Sequence, residues 1–293
     1  MHKKFPLFII GNPRSGTSLF RIMLTCHPEI CIPPECGFIQ WWHKKYQYWS
    51  EQDSINKSLV KNYINDLKSS KKIETWNLNY NSLEELIYTY RPSQYSELCY
   101  LVYIQYMYIS NKNAKIIGDK NNYYVHYLDI LESIFSNANY IFIVRDGRDV
   151  ACSYKRVNQI QTPSLYKPKL ANSIDDIAIE WNNNNQTIIN FLNKISQKRY
   201  FTLQYEELLR KPTEVLGKIC NFLGINFHSE MLNFYNTNRK LNLEPAKTLD
   251  WKLKTFEPLD MKNIGKYKFE LKDEEISIFE EKTSKIMSYF GYI

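Results

Sequence analysis

Near the amino end an apolar run, PLFIIG, breaks at Gly11 into the loop GNPRSGTS and resumes as TSLFRIMLTCHP, where Leu19, Phe20, Met23 and Leu24 recur at helical spacing before Pro28. A buried strand, a tight glycine-bearing loop and a helix in direct succession predict a parallel sheet, because a parallel strand needs a crossover element before the next strand. Gly11 and Gly16 let the backbone curl so that successive N–H groups converge on an anion at the helix N-terminus, where the helix dipole adds its positive end. Thr17 and Ser18 add hydroxyls, and Arg14 is the only cation in the loop. A turn that needs its glycines for shape alone reads the same way, so the loop does not stand by itself.

The pattern repeats. KIIGDK and NYIFIVRD are apolar runs closing on charged residues, with a candidate helix YYVHYLDILESIFSN between them, and RYFTLQYEEL is a fourth strand. TEVLGKICNFLG places Leu216, Ile219, Cys220 and Leu223 on one helical face ahead of Gly224. The last helix, from about Asp273 to Phe290, buries Ile276, Phe279, Thr283, Ile286, Met287 and Phe290. The expected fold is α/β: a single P-loop-like domain with a central parallel sheet and helices on both faces. No linker, low-complexity block or fixed-period repeat divides the 293 residues, so one domain over 1–293 is expected, with about 41–113 as a helical insertion. In such sheets ligands lie beyond the carboxyl ends of the strands, where Gly11, Asp119 and Arg145 fall.

Two glycines five apart, followed by hydroxyl residues, are also the mark of a nucleotide-binding P-loop. Where that loop carries its lysine, however, this chain has Thr17. A second motif, IFIVRDGRDVACS, closes a strand at Arg145 and sets Ser153 eight residues on, two helical turns away, where guanidinium and hydroxyl can reach one phosphate. An R-D-G-R string is also found as a solvated turn. In this order and at consecutive strand ends, PRSGTS and VRDGRDVACS resemble the two phosphate motifs of the sulfotransferases that use 3'-phosphoadenosine 5'-phosphosulfate (PAPS), the first for the 5'-phosphosulfate and the second for the 3'-phosphate. A donor with two separate anionic groups and no magnesium-bound triphosphate does not call for the P-loop lysine.

Within that family the chain is similar to the tyrosylprotein-like branch, in which an H-P pair and a glutamate general base follow the loop. His27-Pro28 and then Glu35, twenty-one residues past Arg14, stand at those places. The cytosolic branch uses a histidine two residues after a strand-end lysine; here Lys120 is followed at that distance by Asn122. The resemblance implies a PAPS-dependent transferase with Glu35 as base and Arg14 and Lys120 steadying the charge that spreads over the transferring group. It implies a donor site from Arg14, Ser15, Gly16, Thr17, Ser18, Arg145, Ser153 and Tyr205, closed by Gly265 and Lys266 of NIGKYK, the segment that departs most from the family pattern. A helix-capping role for Glu35 after Pro33-Pro34 stays open from the residues alone, as does a buried core role for Tyr205. A P-loop kinase and a nucleotide binder without turnover are the alternative functions.

The remaining features set limits. Trp42, Tyr46 and Trp49 form a stripe that reads as core before it reads as an acceptor platform, and His43 and His126 read as structural. The six cysteines include no C-x-x-C pair and read as reduced thiols. The opening MHKKFPLFIIGNP is too short for a membrane span and has no small-residue cleavage site, so a cytoplasmic protein is expected. A net charge of +7 suits an anionic ligand, and its lysines are scattered among acids without the block that nucleic acid calls for. No required metal is expected, the acceptor is a hydroxyl (or amine) of open class, and the oligomeric state is left open, a homodimer included.

Overall fold

The computed structural model describes residues 6–293. The first five residues, on which part of the expectation about a leader rests, lie outside them. The strands are β1 (Leu7–Ile10), β2 (Ile30–Cys31), β3 (Ile116–Lys120), β4 (Asn139–Val144) and β5 (Tyr200–Gln204), in the order β2-β3-β1-β4-β5. All four residues of β1 are buried, as an LFII run without alternation requires of a strand covered on both faces. β2 runs parallel to β3 with Ile30 opposite Ile116, and β4 runs parallel to β5 from Tyr140–Tyr200 to Val144–Gln204. The central parallel sheet with helices around it is the expected fold class. β2 escaped sequence reading because two residues carry no periodicity.

By its internal contacts the chain divides into two compact units, one of residues up to Phe8 with Pro28–Asn139, the other of Ile9–His27 with Tyr140–Ile293. In the first, the helices Phe38–Tyr46, Lys57–Ser69, Tyr80–Tyr90 and Tyr95–Ile109 occupy most of the 41–113 stretch. Their core is aromatic: Trp76 packs on Phe38 at 5.8 Å and on Tyr103 at 5.5 Å between ring centroids. Tyr46 and Trp49 are buried against Tyr63, and half-buried Trp42 donates its indole N–H to Ser70 Oγ at 2.8 Å, so this stripe is core packing. The helix expected over YYVHYLDILESIFSN is instead a 3₁₀ turn, Asn122–His126, and a short helix, Leu128–Ile134. The break is physical: Asn121 accepts from the N–H of Tyr123 and starts the tighter turn, and Tyr127 at φ −135° leaves the helical region. His126, on the exposed side of that turn, meets Tyr123 edge to face.

In the second unit the helix Pro212–Leu223 ends at Gly224 with φ +69°, the left-handed cap its sequence predicts. Leu216, Ile219 and Cys220 are buried, while Leu223 is half-buried. The last helix, Asp273–Tyr289, buries Phe279, Thr283, Ile286 and Met287; Ile276 and Phe290 are only half-covered, a narrower stripe than expected. It packs along the 19-residue helix Ile174–Leu192, with Phe279 against Trp181 at 5.9 Å. Among the described residues no helix is long and apolar enough to cross a membrane.

Gly11 owes its place to closeness rather than to φ. A Cβ there would lie 2.4 Å from the carbonyl oxygen of Ile143, a backbone atom of β4 that cannot rotate away. Gly11→Ala is therefore expected to lower stability by ~1–3 kcal/mol, the range for overpacking. Gly217, inside a helix with nothing within 4 Å of its added Cβ, should gain up to about 1 kcal/mol as Ala. Chemical denaturation of both variants checks the pair, and a neutral Gly11→Ala would contradict the packing described.

Candidate active site

In the second unit the loop between β1 and the helix Thr17–Thr25 is fixed by two unusual backbone positions. Gly16 has φ +93°, and a Cβ there would come within 2.4 Å of the Tyr205 ring. Arg14 itself has φ +69°, a region that non-glycine residues enter rarely. Arg14 Nε donates to Ser153 Oγ at 3.1 Å, and its Nη2 donates to the carbonyl of Trp251 at 2.9 Å. Arg145 Nη1 donates to the carbonyl of Arg14 at 3.3 Å and Nη2 to that of Asn263 at 2.7 Å, with the guanidinium 4.5 Å over the Tyr205 ring. The two motifs are thus one structure: each arginine holds a part of the other's loop or helix.

Tyr205 is buried as the floor beneath Gly16 and Arg145. Below the loop, Asn12 donates to the Tyr154 hydroxyl at 3.2 Å and accepts from Asn184 at 2.8 Å. Gly265, at φ +70°, donates its N–H to Asp149 Oδ2 at 2.8 Å, and the Tyr267 N–H goes to Oδ1 at 3.0 Å. Asp149 therefore brings NIGKYK to the second motif. Two buried polar atoms in this region, Ser15 Oγ and Arg145 Nε, have no hydrogen-bond partner, which leaves donors for a ligand to satisfy.

Charge collects around the same residues. Burial first, then Arg145 and Arg156, push the Lys266 ammonium down to about 8. Burial, Arg156 and Arg145 likewise lower Lys254, whose ammonium hydrogen-bonds Asn263 Oδ1. Arg156 is answered by Glu270 at 2.8 Å. Two lysines lowered by burial and by neighbouring arginines are kept charged at a cost, which a nearby anion would relieve. Lys254, Arg156, Asn263, Asp149 and the Trp251 carbonyl were missed by sequence reasoning. Only Asp149, inside the R-D-G-R-D string, had a signal to find.

In the first unit, Glu35 follows β2 and Lys120 ends β3. Lys120 is wholly buried and ion-paired with Glu35 Oε1, while Lys72 Nζ lies 2.8 Å from Oε2. The following helix begins at Phe38 with Gly37 at its cap position, and both carboxylate oxygens of Glu35 face ammonium groups. Beside them Asp119 accepts from the hydroxyls of Tyr103, at 2.5 Å, and Tyr124; its burial outweighs these donors and raises its pKa to about 6. Asn122, at the place of the rival histidine, opens the 3₁₀ turn.

The chain belongs to the Sulfotransferase family, which matches over residues 6–229. It is 26% identical over 232 residues to protein-tyrosine sulfotransferase 2 of Gallus gallus, covering 79% of this chain and 54% of that one. It is likewise 26% identical over 233 residues to human protein-tyrosine sulfotransferase 1, at 79% and 55% coverage, which puts it on the tyrosylprotein side of the family. The chain spans about half the length of these curated relatives. Among solved structures, the sulfotransferase domain from the Synechococcus PCC 7002 olefin synthase superposes with a TM-score of 0.60 at 22% identity over 96% of both chains. Mouse sulfotransferase SULT7A1 complexed with PAP gives 0.52 at 14% identity over 97% of this chain and 84% of that chain. These two likenesses establish the fold.

The Lys266 shift predicts a pH dependence. Its folded value lies below the 10.5 of an ordinary lysine, so between about 8 and 10.5 the unfolded chain holds more protons and stability must rise with pH. The penalty is present in full below about 8 and is lost as the ammonium deprotonates. Denaturation of the wild type against Lys266→Met from pH 7 to 10 should show the wild type gaining on the variant as pH increases. Parallel curves would mean that Lys266 is not lowered by its burial and its neighbouring arginines.

Proposed function

We propose that this protein transfers a sulfuryl group from PAPS to a hydroxyl (or amine) acceptor by in-line displacement, with Glu35 as general base. The observation that carries this reading is the mutual hold of the two motifs, Arg14 on Ser153 and Arg145 on the Arg14 carbonyl, beside a cluster of crowded cations. One site of this composition suits a nucleotide with two separated anionic groups. Arg14 with Ser15, Gly16, Thr17 and Ser18 would hold the 5'-phosphosulfate; Arg145, Ser153, Gly265 and Lys266 would hold the 3'-phosphate. Tyr205 supports both from below. The buried, unpartnered Ser15 Oγ and Arg145 Nε fit such a ligand.

In the reaction the acceptor oxygen bonds to sulfur as the bond from sulfur to the 5'-phosphate oxygen breaks, and the acceptor proton passes to Glu35. Arg14 and Lys120 counter the charge on the transferring oxygens and the departing phosphate. A base at this step contributes ~10²–10⁴-fold. The relatives named for protein tyrosine make a phenolic hydroxyl the first acceptor to try. On this reading the chain works as one domain, residues 41–113 form its acceptor side, and its compartment is the cytoplasm. The cysteines, five of them buried and none in a disulfide, suit that compartment.

A P-loop kinase would need a lysine where Thr17 stands, and the presence of Arg14, Lys120 and Glu35 together speaks against a binder without turnover. Thermal shift with 3',5'-adenosine bisphosphate against ATP plus magnesium separates the classes: at a hundred times its dissociation constant the bisphosphate should add ~2.7 kcal/mol. Arg145→Ala should weaken its binding by ~1.5–3 kcal/mol. With PAPS and a tyrosine-containing peptide or simple phenol, Glu35→Gln should lose ~10²-fold or more in turnover while keeping the bisphosphate shift. Near-normal turnover of that variant rejects the base, and a shift with ATP alone rejects the donor.

A further inference from the structure

Glu35 has a second partner whose position is as built as the first. Lys72 lies at φ +75°, just ahead of the 3₁₀ turn Ile73–Trp76, in a backbone region that lysine occupies at a cost. The turn is tied down on both sides. Ile73 N–H donates to the Ser70 carbonyl at 3.1 Å, and Thr75 Oγ1 donates to the Lys72 carbonyl at 2.7 Å. Trp76, buried, donates its indole N–H to the carbonyl of Pro34 at 2.9 Å. One five-residue stretch therefore grips the backbone immediately before Glu35 and, through Lys72 Nζ at 2.8 Å, the carboxylate itself.

We propose that Lys72 is a positioning residue for the Glu35 carboxylate: it holds Oε2 in place before reaction and gives that oxygen up to the acceptor hydroxyl. The inference rests on the reading of Glu35 as general base. A carboxylate with an ammonium on each oxygen is fixed in rotation, and the oxygen whose ammonium can withdraw is the one more open to an acceptor hydroxyl. Lys120, with 0% of its side chain exposed, has nowhere to go, whereas Lys72, at 23%, borders solvent. Oε2 is therefore the oxygen that takes the proton, as the acceptor oxygen bonds to sulfur and the bond to the donor phosphate breaks. The other charged and titratable groups gathered at this turn include Cys36, Asp119 on β3, bonded to Tyr103 and Tyr124, and Glu74 and Tyr80 on the helical side.

The test uses the full chain and two readouts. Carbon-13 NMR titration of the Glu35 carboxyl in wild type, Lys72→Met and Lys72→Arg reads the pairing directly. Removing an opposite charge should raise the midpoint by about one pH unit or more in Lys72→Met, and Lys72→Arg should restore it. The acidic limb of the pH–rate profile with PAPS and a phenol should move upward by the same amount. An unchanged midpoint in Lys72→Met overturns the inference, as does a Lys72→Arg midpoint that follows Met, since the effect would then come from a disturbed turn. A wild type that never consumes donor, with the midpoint still moving in Lys72→Met, sinks the base reading of Glu35 while leaving its pairing with Lys72.

Discussion

The second unit is organised around the exchange of hydrogen bonds between Arg14 and Arg145. Arg14 reaches Ser153 with its Nε, and Arg145 reaches back to the Arg14 carbonyl. Each contact spans well over a hundred residues of chain, so it fixes a loop after β1 to a strand end and helix after β4. Around this exchange the structure accepts local cost, a left-handed Arg14 and lysines depressed by burial and then by neighbouring arginines, while the Arg145 guanidinium over the Tyr205 ring is a favourable contact. Strain and buried like charge gathered at one place mark this region as the candidate site.

The small residues follow from that arrangement. Gly16 is needed twice, for its φ and because Tyr205 lies where a Cβ would be. Gly11 is needed because β4 passes too close. Asp149 then draws the Gly265–Tyr267 segment to the second motif through two backbone N–H groups, which is how a region with little family signature comes to lie beside Arg145 and Lys266. In the first unit the same economy operates with opposite sign. A partly shielded carboxylate is held by one buried and one half-open ammonium, one on each oxygen.

Much of this was legible beforehand, and for a physical reason. Strand–loop–helix spacing, the glycine pair, the arginine and serine eight apart, and the Glu35 interval are all short-range, so their geometry is written in adjacent residues. The same logic explains the misses. The two-residue β2 has no period to detect. The helix expected after Lys120 was broken by an Asn121 side chain acting on its own backbone. The surface stripe of the last helix was read too wide because periodicity gives the direction of a face, not its depth of burial.

The sequence by itself determined the parallel α/β architecture and the two arginine motifs, since each depends on spacing along one stretch of backbone, while Glu35 was singled out by the family resemblance. Only the tertiary structure decided which groups answer them: Ser153 for Arg14, Lys72 as well as Lys120 for Glu35, Asp149 for the closing segment, and Arg156 and Lys254 beside Lys266. Those partners lie far apart in the chain, and Coulomb interactions fall with distance in space whatever the separation in sequence, so no local pattern can announce them.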